Sequence, residues 1–228
     1  ITDPGVNVSQ VQGPNSMKIL EAAAKDGLPT PFGYFGIARV NFGGQEVVIT
    51  RTGYTNELGW EFYTEPHHDA DALWAHLEHA GADHGMQMFG LDSMNIRRIE
   101  AGILNAGSDF DDTTTPFDVG LGRFVDLDKT DFIGKTALLS APRDRRLHGL
   151  RCDTAEPRVN GAIMVDGIQV GRVTAGAFSP YLNHGIGLGL MQNANLQTGA
   201  HVHVEGNDGT LHPATLCALP FYDQDAEI

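Results

Sequence analysis

The stretch Arg51-Thr52-Gly53-Tyr54-Thr55-Asn56-Glu57-Leu58-Gly59-Trp60-Glu61 carries the residue types of a recognition loop. Two glycines bracket a carboxylate, Glu57, and aromatic side chains stand on either side of it at Tyr54 and Trp60. A carboxylate accepts two parallel hydrogen bonds from any group that presents adjacent N–H donors. The aminopyrimidinone edge of a pterin is such a group. Tyr54 and Trp60 would pack against a flat heterocycle and keep water out, which strengthens those bonds. The same residues also suit an ordinary strand–turn–strand with a surface glutamate, and their types alone leave both readings open.

Other constellations point to less. His201 and His203 share one face of a strand, with His212 close behind, but only Glu205 stands at a helpful offset. Structural metal sites take four defined ligands, so an outward polar face is expected here and no metal. His67-His68 is expected at the surface. The acidic run Asp109-Phe110-Asp111-Asp112-Thr113 lacks the ligand spacing and glycine of a calcium loop and reads as a solvated connection. The glycines of Gly185-Ile186-Gly187-Leu188-Gly189 lie in a strand-like run without the following helix that a phosphate cradle needs. Cys152 and Cys217 form no CxxC pair and sit among apolar neighbours, which predicts buried free thiols in a reducing compartment.

The elements that must position these residues fall into two styles. A strand from Val6 to Val11 leads through Gly13-Pro14-Asn15-Ser16 into a helix reaching about Lys25, proline being favoured in a helix's first turn. Phe35–Phe42 and Glu46–Arg51 form a hairpin about Gly43-Gly44, and Glu61–Thr64 is a further strand. Helices are expected over Asp69–Ala80, Leu91–Glu100 and Asp131–Leu139. Pro142-Arg143-Asp144-Arg145-Arg146 reads as a charged hinge. Beyond it come short strands at Leu147–Cys152, Ala162–Val165, Gln169–Val173, Gly185–Leu190, Ala200–Glu205 and Ala214–Leu219, spaced as in a small β-barrel or sandwich. The expected class is α+β: an α/β domain over 1–140, then a small β-barrel over 145–228.

Composition narrows the partners. With 15 basic and 29 acidic residues the formal charge is -14, which repels phosphate backbones and anionic membranes and argues against nucleic acid or membrane binding. No apolar stretch approaches the ~18 residues of a membrane helix. The opening Ile1-Thr2-Asp3-Pro4-Gly5 is neither an initiator methionine nor a secretion signal, so the sequence reads as a piece of a longer chain of cytoplasmic location.

Several motifs, in order, carry a family resemblance. Arg51-Thr52-Gly53-Tyr54-Thr55-x-Glu57-x-Gly59 resembles the RTGYTGE-x-G signature of the glycine cleavage T-protein (aminomethyltransferase) family. Gln12-Gly13-Pro14 resembles its upstream QGP turn. Arg98–Ile103 followed by Thr115–Leu121 is similar to RLEAGL…TPxExGL, and Asp131–Leu138 to DFIGKxAL. Gly171-Arg172-Val173-Thr174-x-Gly176-x-Phe178-Ser179-Pro180 resembles GxVTSGxxSP. The match covers essentially the whole chain.

The resemblance implies a partial folate-binding domain of T-protein type ahead of a C-terminal barrel. Its cofactor would be tetrahydrofolate, with Glu57 gripping the pterin and Tyr54 and Trp60 shaping the pocket. Arg98 would bind there too, holding a carboxylate, or would pair with Glu100. Folate N5 would be the nucleophile, and the one-carbon donor a lipoyl-protein or a small molecule. The family's catalytic aspartate lies upstream of the QGP turn, so no catalytic residue is assigned here and the chain by itself is expected to be inactive. One departure stands out: the family usually reads G-L-x-A-R-D before the second helix, and Gly90-Leu91-Asp92-Ser93-Met94-Asn95 puts Met94 at the arginine. A thioether cannot make a guanidinium's charged bidentate contact unless Arg97, one turn on, reaches back. Residues 95–104 are also similar to the folate-dependent dimethylsulfoniopropionate demethylases. A demethylase and a folate-binding protein without transferase activity are therefore the rival readings.

Overall fold

The computed structural model describes residues 3–222. The chain divides into two compact units, Ile1–Met94 and Asn95–Ile228.

In the first unit, β1 (Asn7–Gln12) leads into α1 (Ser16–Ala23), followed by β2 (Ile37–Phe42), β3 (Gln45–Thr50), β4 (Gly59–Thr64) and α2 (Ala70–Gly81). The strands form one antiparallel sheet in the order β1-β4-β3-β2. The β2–β3 hairpin turns on Gly43 and Gly44, both with positive φ (59° and 91°), as its twist requires. Helix α1 stops at Ala23, short of the expected Lys25, because Ala24 is extended and bridges to Phe42 while the Lys25 amide donates to Asn41. Helix α2 starts where its sequence signal stood: the Asp69 carboxylate caps it by accepting from the Ala72 amide at 3.0 Å. Leu20, Phe42, Ile49, Trp60, Phe62 and Leu73 lie in the core that the helices and the sheet share.

Helix α3 (Leu91–Ala101) runs across the division between the units. The second unit continues with α4 (Lys135–Ser140) and the strands β5 (Arg146–Cys152), β6 (Ala162–Val165), β7 (Ile168–Ser179), β8 (His184–Met191), β9 (His201–Glu205) and β10 (Leu211–Cys217). The six strands close a barrel in the order β10-β5-β8-β7-β6-β9. Helix α4 begins after the expected Asp131 because Gly134, at φ 92°, cannot be part of it. Strand β7 runs past the expected Val173, since a bulge between Val173 and Ala175 lets it bend and continue to Ser179.

The glycine-rich run is β8, and its alternation has a packing cause. A Cβ at Gly189 would lie 2.6 Å from Ile163 Cδ1 and 3.0 Å from Leu150 Cδ1, both in the barrel interior. Ile186, Leu188 and Leu190 belong to a second apolar layer with Leu147, Ile99 and Val119. The second unit therefore begins well before the 142–146 segment: α3 and the chain around 119 cover one face of the barrel.

Candidate functional site

The recognition loop is built against the end of β1. Gln12 pairs in register with Gly59 across the β1–β4 ladder. With no side chain opposite, its amide drops between the two loop glycines. A Cβ at Gly53 would lie 2.1 Å from Gln12 Oε1, and one at Gly59 2.3 Å from Gln12 Cδ. Gln12 Oε1 accepts from the Thr55 hydroxyl at 2.9 Å, and Gln12 Nε2 donates to the Thr52 carbonyl at 3.3 Å. At the far end of the loop the Leu58 carbonyl accepts from the Gly13 amide at 2.7 Å and faces the Ser16 hydroxyl at 2.8 Å. The QGP turn and the glycine-bracketed loop are thus two halves of one clamp.

Clamped at both ends, the loop exposes its tip. Asn56 is left-handed at φ 58°, a conformation asparagine tolerates, and Asn56 and Glu57 are both exposed. Tyr54 is half-buried and Thr55 fully buried. The neighbouring carboxylate, Glu61, is engaged by the Thr52 hydroxyl and, at 3.4 Å, by Tyr63. Trp60 is 0% exposed and packs edge-on to Phe32 with ring centroids 6.5 Å apart. It offers no open ring face and supports the loop from the core.

Beside the clamp, a largely apolar cleft of about 640 Å³ is lined by Val8, Gln10, Gln12, Trp74, Met88 and Met94, among others. Gln10 Nε2 donates to Met94 Sδ at 3.1 Å, a weak acceptor, while Gln10 Oε1 is buried without a partner among the described residues. Arg97 does not reach back toward Met94. It runs forward along α3 to Glu100 at 2.6 Å, with its guanidinium 5.1 Å from the Tyr222 ring centroid.

Arg98 lies in the second unit, 4% exposed, and its partner is Asp109, not Glu100. It also donates to Asn95 Oδ1 at 2.9 Å and to the Ile103 carbonyl at 3.3 Å. Asp109 is 0% exposed, so the acidic run is not wholly the solvated connection expected: Asp111 and Asp112 are exposed, but Asp109 is a buried anchor. It accepts from the Asn105 amide at 2.8 Å and from the Thr174 hydroxyl at 2.6 Å. Buried Glu100 likewise accepts from the Ser179 hydroxyl. Two buried carboxylates therefore tie α3 and its following loop to β7 through Thr174 and Ser179.

The remaining candidates are peripheral. His201 and His203 are exposed along β9 on either side of buried Val202. His212 meets Thr154 and Asp208, whose carboxyl is drawn down to about 2 by the Thr210 amide first and His212 next. Sequence reasoning gave no role to Gln12, Asp109, Thr174 or Ser179. Paired glycines closing on one strand end are the signal for Gln12. Thr174 and Ser179 stand in the GxVTSGxxSP-like motif, which attaches no role to them, and Asp109 has no signal short of the fold.

Comparison with known proteins agrees with this architecture. The family model described as the GCVT N-terminal domain matches residues 2–129, and that of the glycine cleavage T-protein C-terminal barrel domain matches 145–223. An aminomethyltransferase of Saccharopolyspora erythraea is 39% identical over 222 residues, covering 95% of this chain and 60% of that protein. A trimethylamine-oxide aldolase of Ruegeria pomeroyi is 36% identical over 239 residues, 97% of this chain and 30% of that one. The crystal structure of glycine cleavage system aminomethyltransferase T from Bartonella henselae superposes with a TM-score of 0.82 at 28% identity, over 95% of this chain and 60% of that chain. The chain spans 60% and 55% of the lengths of two of the aminomethyltransferases it matches. By its motifs, its clamped loop and its barrel, the chain belongs to the glycine cleavage T-protein family.

Proposed function

We propose that this chain forms the pterin-gripping part and the barrel of a cytoplasmic, tetrahydrofolate-dependent one-carbon transferase of the aminomethyl type. One observation carries the reading: a loop fixed at both ends by Gln12, Gly13 and Ser16 carries Glu57 at its exposed tip. A carboxylate matches the adjacent N–H donors of a pterin edge, and a loop already clamped loses little backbone entropy on binding. Half-buried Tyr54 borders the same tip, while Trp60 backs the loop from within. Arg98, held by Asp109, acts by fixing the start of the loop that follows α3.

The protein's part in such a reaction is to orient folate N5 against the carbon to be transferred, an effect worth roughly 7–11 kcal/mol of barrier. The donor in this reading is an aminomethyl group on a lipoyl-protein. The aspartate expected near N5 is not assigned to any residue of this chain, and the chain alone is proposed to be inactive.

A second reading takes a small methylated or N-oxidised amine, or a sulfonium, as donor. Met94 at the family's arginine position favours it, as does the likeness to the trimethylamine-oxide aldolase. Calorimetry with tetrahydrofolate on the whole protein tests the shared part. Glu57→Ala removes a charged acceptor and should weaken binding 30- to 150-fold, about 2–3 kcal/mol, with Glu57→Gln intermediate. Unchanged affinity in both variants removes Glu57 from the site. Product analysis then separates donors: an aminomethyl group gives methylene-tetrahydrofolate with release of ammonia, a sulfonium or methylated amine gives methyl-tetrahydrofolate, and an N-oxide, whose carbon leaves at the formaldehyde level, gives methylene-tetrahydrofolate with release of a secondary amine. Tight folate binding without turnover of any donor indicates a binding protein.

A further inference from the structure

Four of the 15 basic residues of this acidic chain line a single pocket in the second unit. Arg123, Arg143, Arg145 and Arg146 surround about 290 Å³ closed by Phe117, Ala194 and two glycines, and no carboxylate is among the lining residues. We propose that this pocket binds a small oxyanion ligand, one bearing phosphate or carboxylate groups, on residues distinct from those of the 51–61 loop.

Charge and preorganisation both support the assignment. Asp118, whose side chain is 2% exposed, accepts from Arg145 at 2.8 Å and orients that guanidinium, and it is not among the residues that line the pocket; nor is Asp144, which stands between Arg143 and Arg145 in sequence. A second donor–acceptor contact, from Arg145 to the Thr113 carbonyl at 2.7 Å, fixes the same group. Arg143 lies over the Phe117 ring, 3.1 Å from its centroid, and donates to the Leu138 carbonyl at 3.2 Å. That ring packs closely on Gly122, where a Cβ would come within 2.7 Å of Phe117 Cδ1. Arg123 is held over Phe124 at 4.8 Å. Each guanidinium has five N–H donors in a planar fork, so anchoring one or two leaves others for a ligand. Four cations lining one pocket repel one another, and a bound oxyanion relieves that repulsion.

The test uses the whole chain at fixed ionic strength, titrated calorimetrically with inorganic pyrophosphate in one arm and citrate in the other. Saturable one-to-one binding in either arm is expected, and the tighter arm identifies the ligand class as phosphate or carboxylate. Arg143→Gln and Arg123→Gln, both exposed positions, should each weaken binding about 10-fold or more. Arg39→Gln, which removes an exposed charge in the first unit, should leave it unchanged. Circular dichroism confirms that each variant is folded. The proposal is overturned by the absence of saturable binding, by equal losses in the Arg39 control, or by binding confined to long polyanions such as heparin.

Discussion

Gly59→Ala tests the clamp directly. The new Cβ would sit 2.3 Å from Gln12 Cδ, 1.1 Å inside the 3.4 Å at which ordinary contact begins (3.4 − 2.3). One outcome is that Gln12 swings out and forfeits its bonds to Thr55 and Thr52. Two neutral hydrogen bonds lost in this way cost about 1–3 kcal/mol. The other is that the strands shift apart, and such overpacking costs a similar ~1–3 kcal/mol. Either route predicts the same size of loss, with looser folate binding alongside it. The discriminating measurement is a double-mutant cycle with Gln12→Ala, read by urea unfolding and followed through Trp60 fluorescence in a Trp74→Phe background. Once Gln12 is truncated the three atoms nearest the new Cβ are gone, so the double variant should be about as stable as Gln12→Ala alone. That leaves a coupling of about 1–3 kcal/mol between neighbouring sites. Additive losses, or a neutral Gly59→Ala, would refute the wedge.

Two further outcomes follow from buried charge. Asp109→Ala leaves the Arg98 guanidinium buried without its partner and should destabilise the second unit by about 3–5 kcal/mol in denaturant titrations, whereas Asp111→Ala, at an exposed position, should cost little. His148 on β5 is buried, and desolvation first, with the Arg146 cation second, holds its pKa below the usual 6.5. The unfolded chain therefore takes up a proton first as pH falls. The stability this group contributes is whole above about pH 6.5 and is lost below it, down toward the lowered folded value. Subtracting the pH dependence of His148→Gln from that of the native chain should show this slope, and a flat difference would count against it.

Much of the fold was legible because it rests on local rules. The Gly43-Gly44 hairpin, the Asp69 cap and the short barrel strands each announce themselves within a few residues. Trp60 was misplaced at the ligand face although a signal existed: Trp60, Phe62 and Thr64 alternate along β4, and all three are buried. Asp109 was a different kind of miss. Three aspartates in four positions look solvated, and only the fold shows that one of them meets Arg98 eleven residues before it and Thr174 sixty-five after it. Contacts that distant leave no periodicity to read.

Sorting the family motifs by what their side chains touch separates two jobs. Gln12, Gly53, Thr55 and Gly59 hold the loop, and Arg98, Thr174 and Ser179 hold α3 and its following loop to the barrel. At the loop's tip Glu57 is exposed, beside exposed Asn56 and half-buried Tyr54. The departure at Met94 belongs to neither clamp. It lines the open cleft, and Gln10, which donates to its sulfur, keeps a buried carbonyl oxygen unpaired among the described residues. A guanidinium at position 94 would have found an acceptor there; a thioether leaves the need unmet. The clamps can thus keep their geometry while the cleft changes its chemistry, and for that reason this chain specifies the proposed pterin contact better than the proposed one-carbon donor.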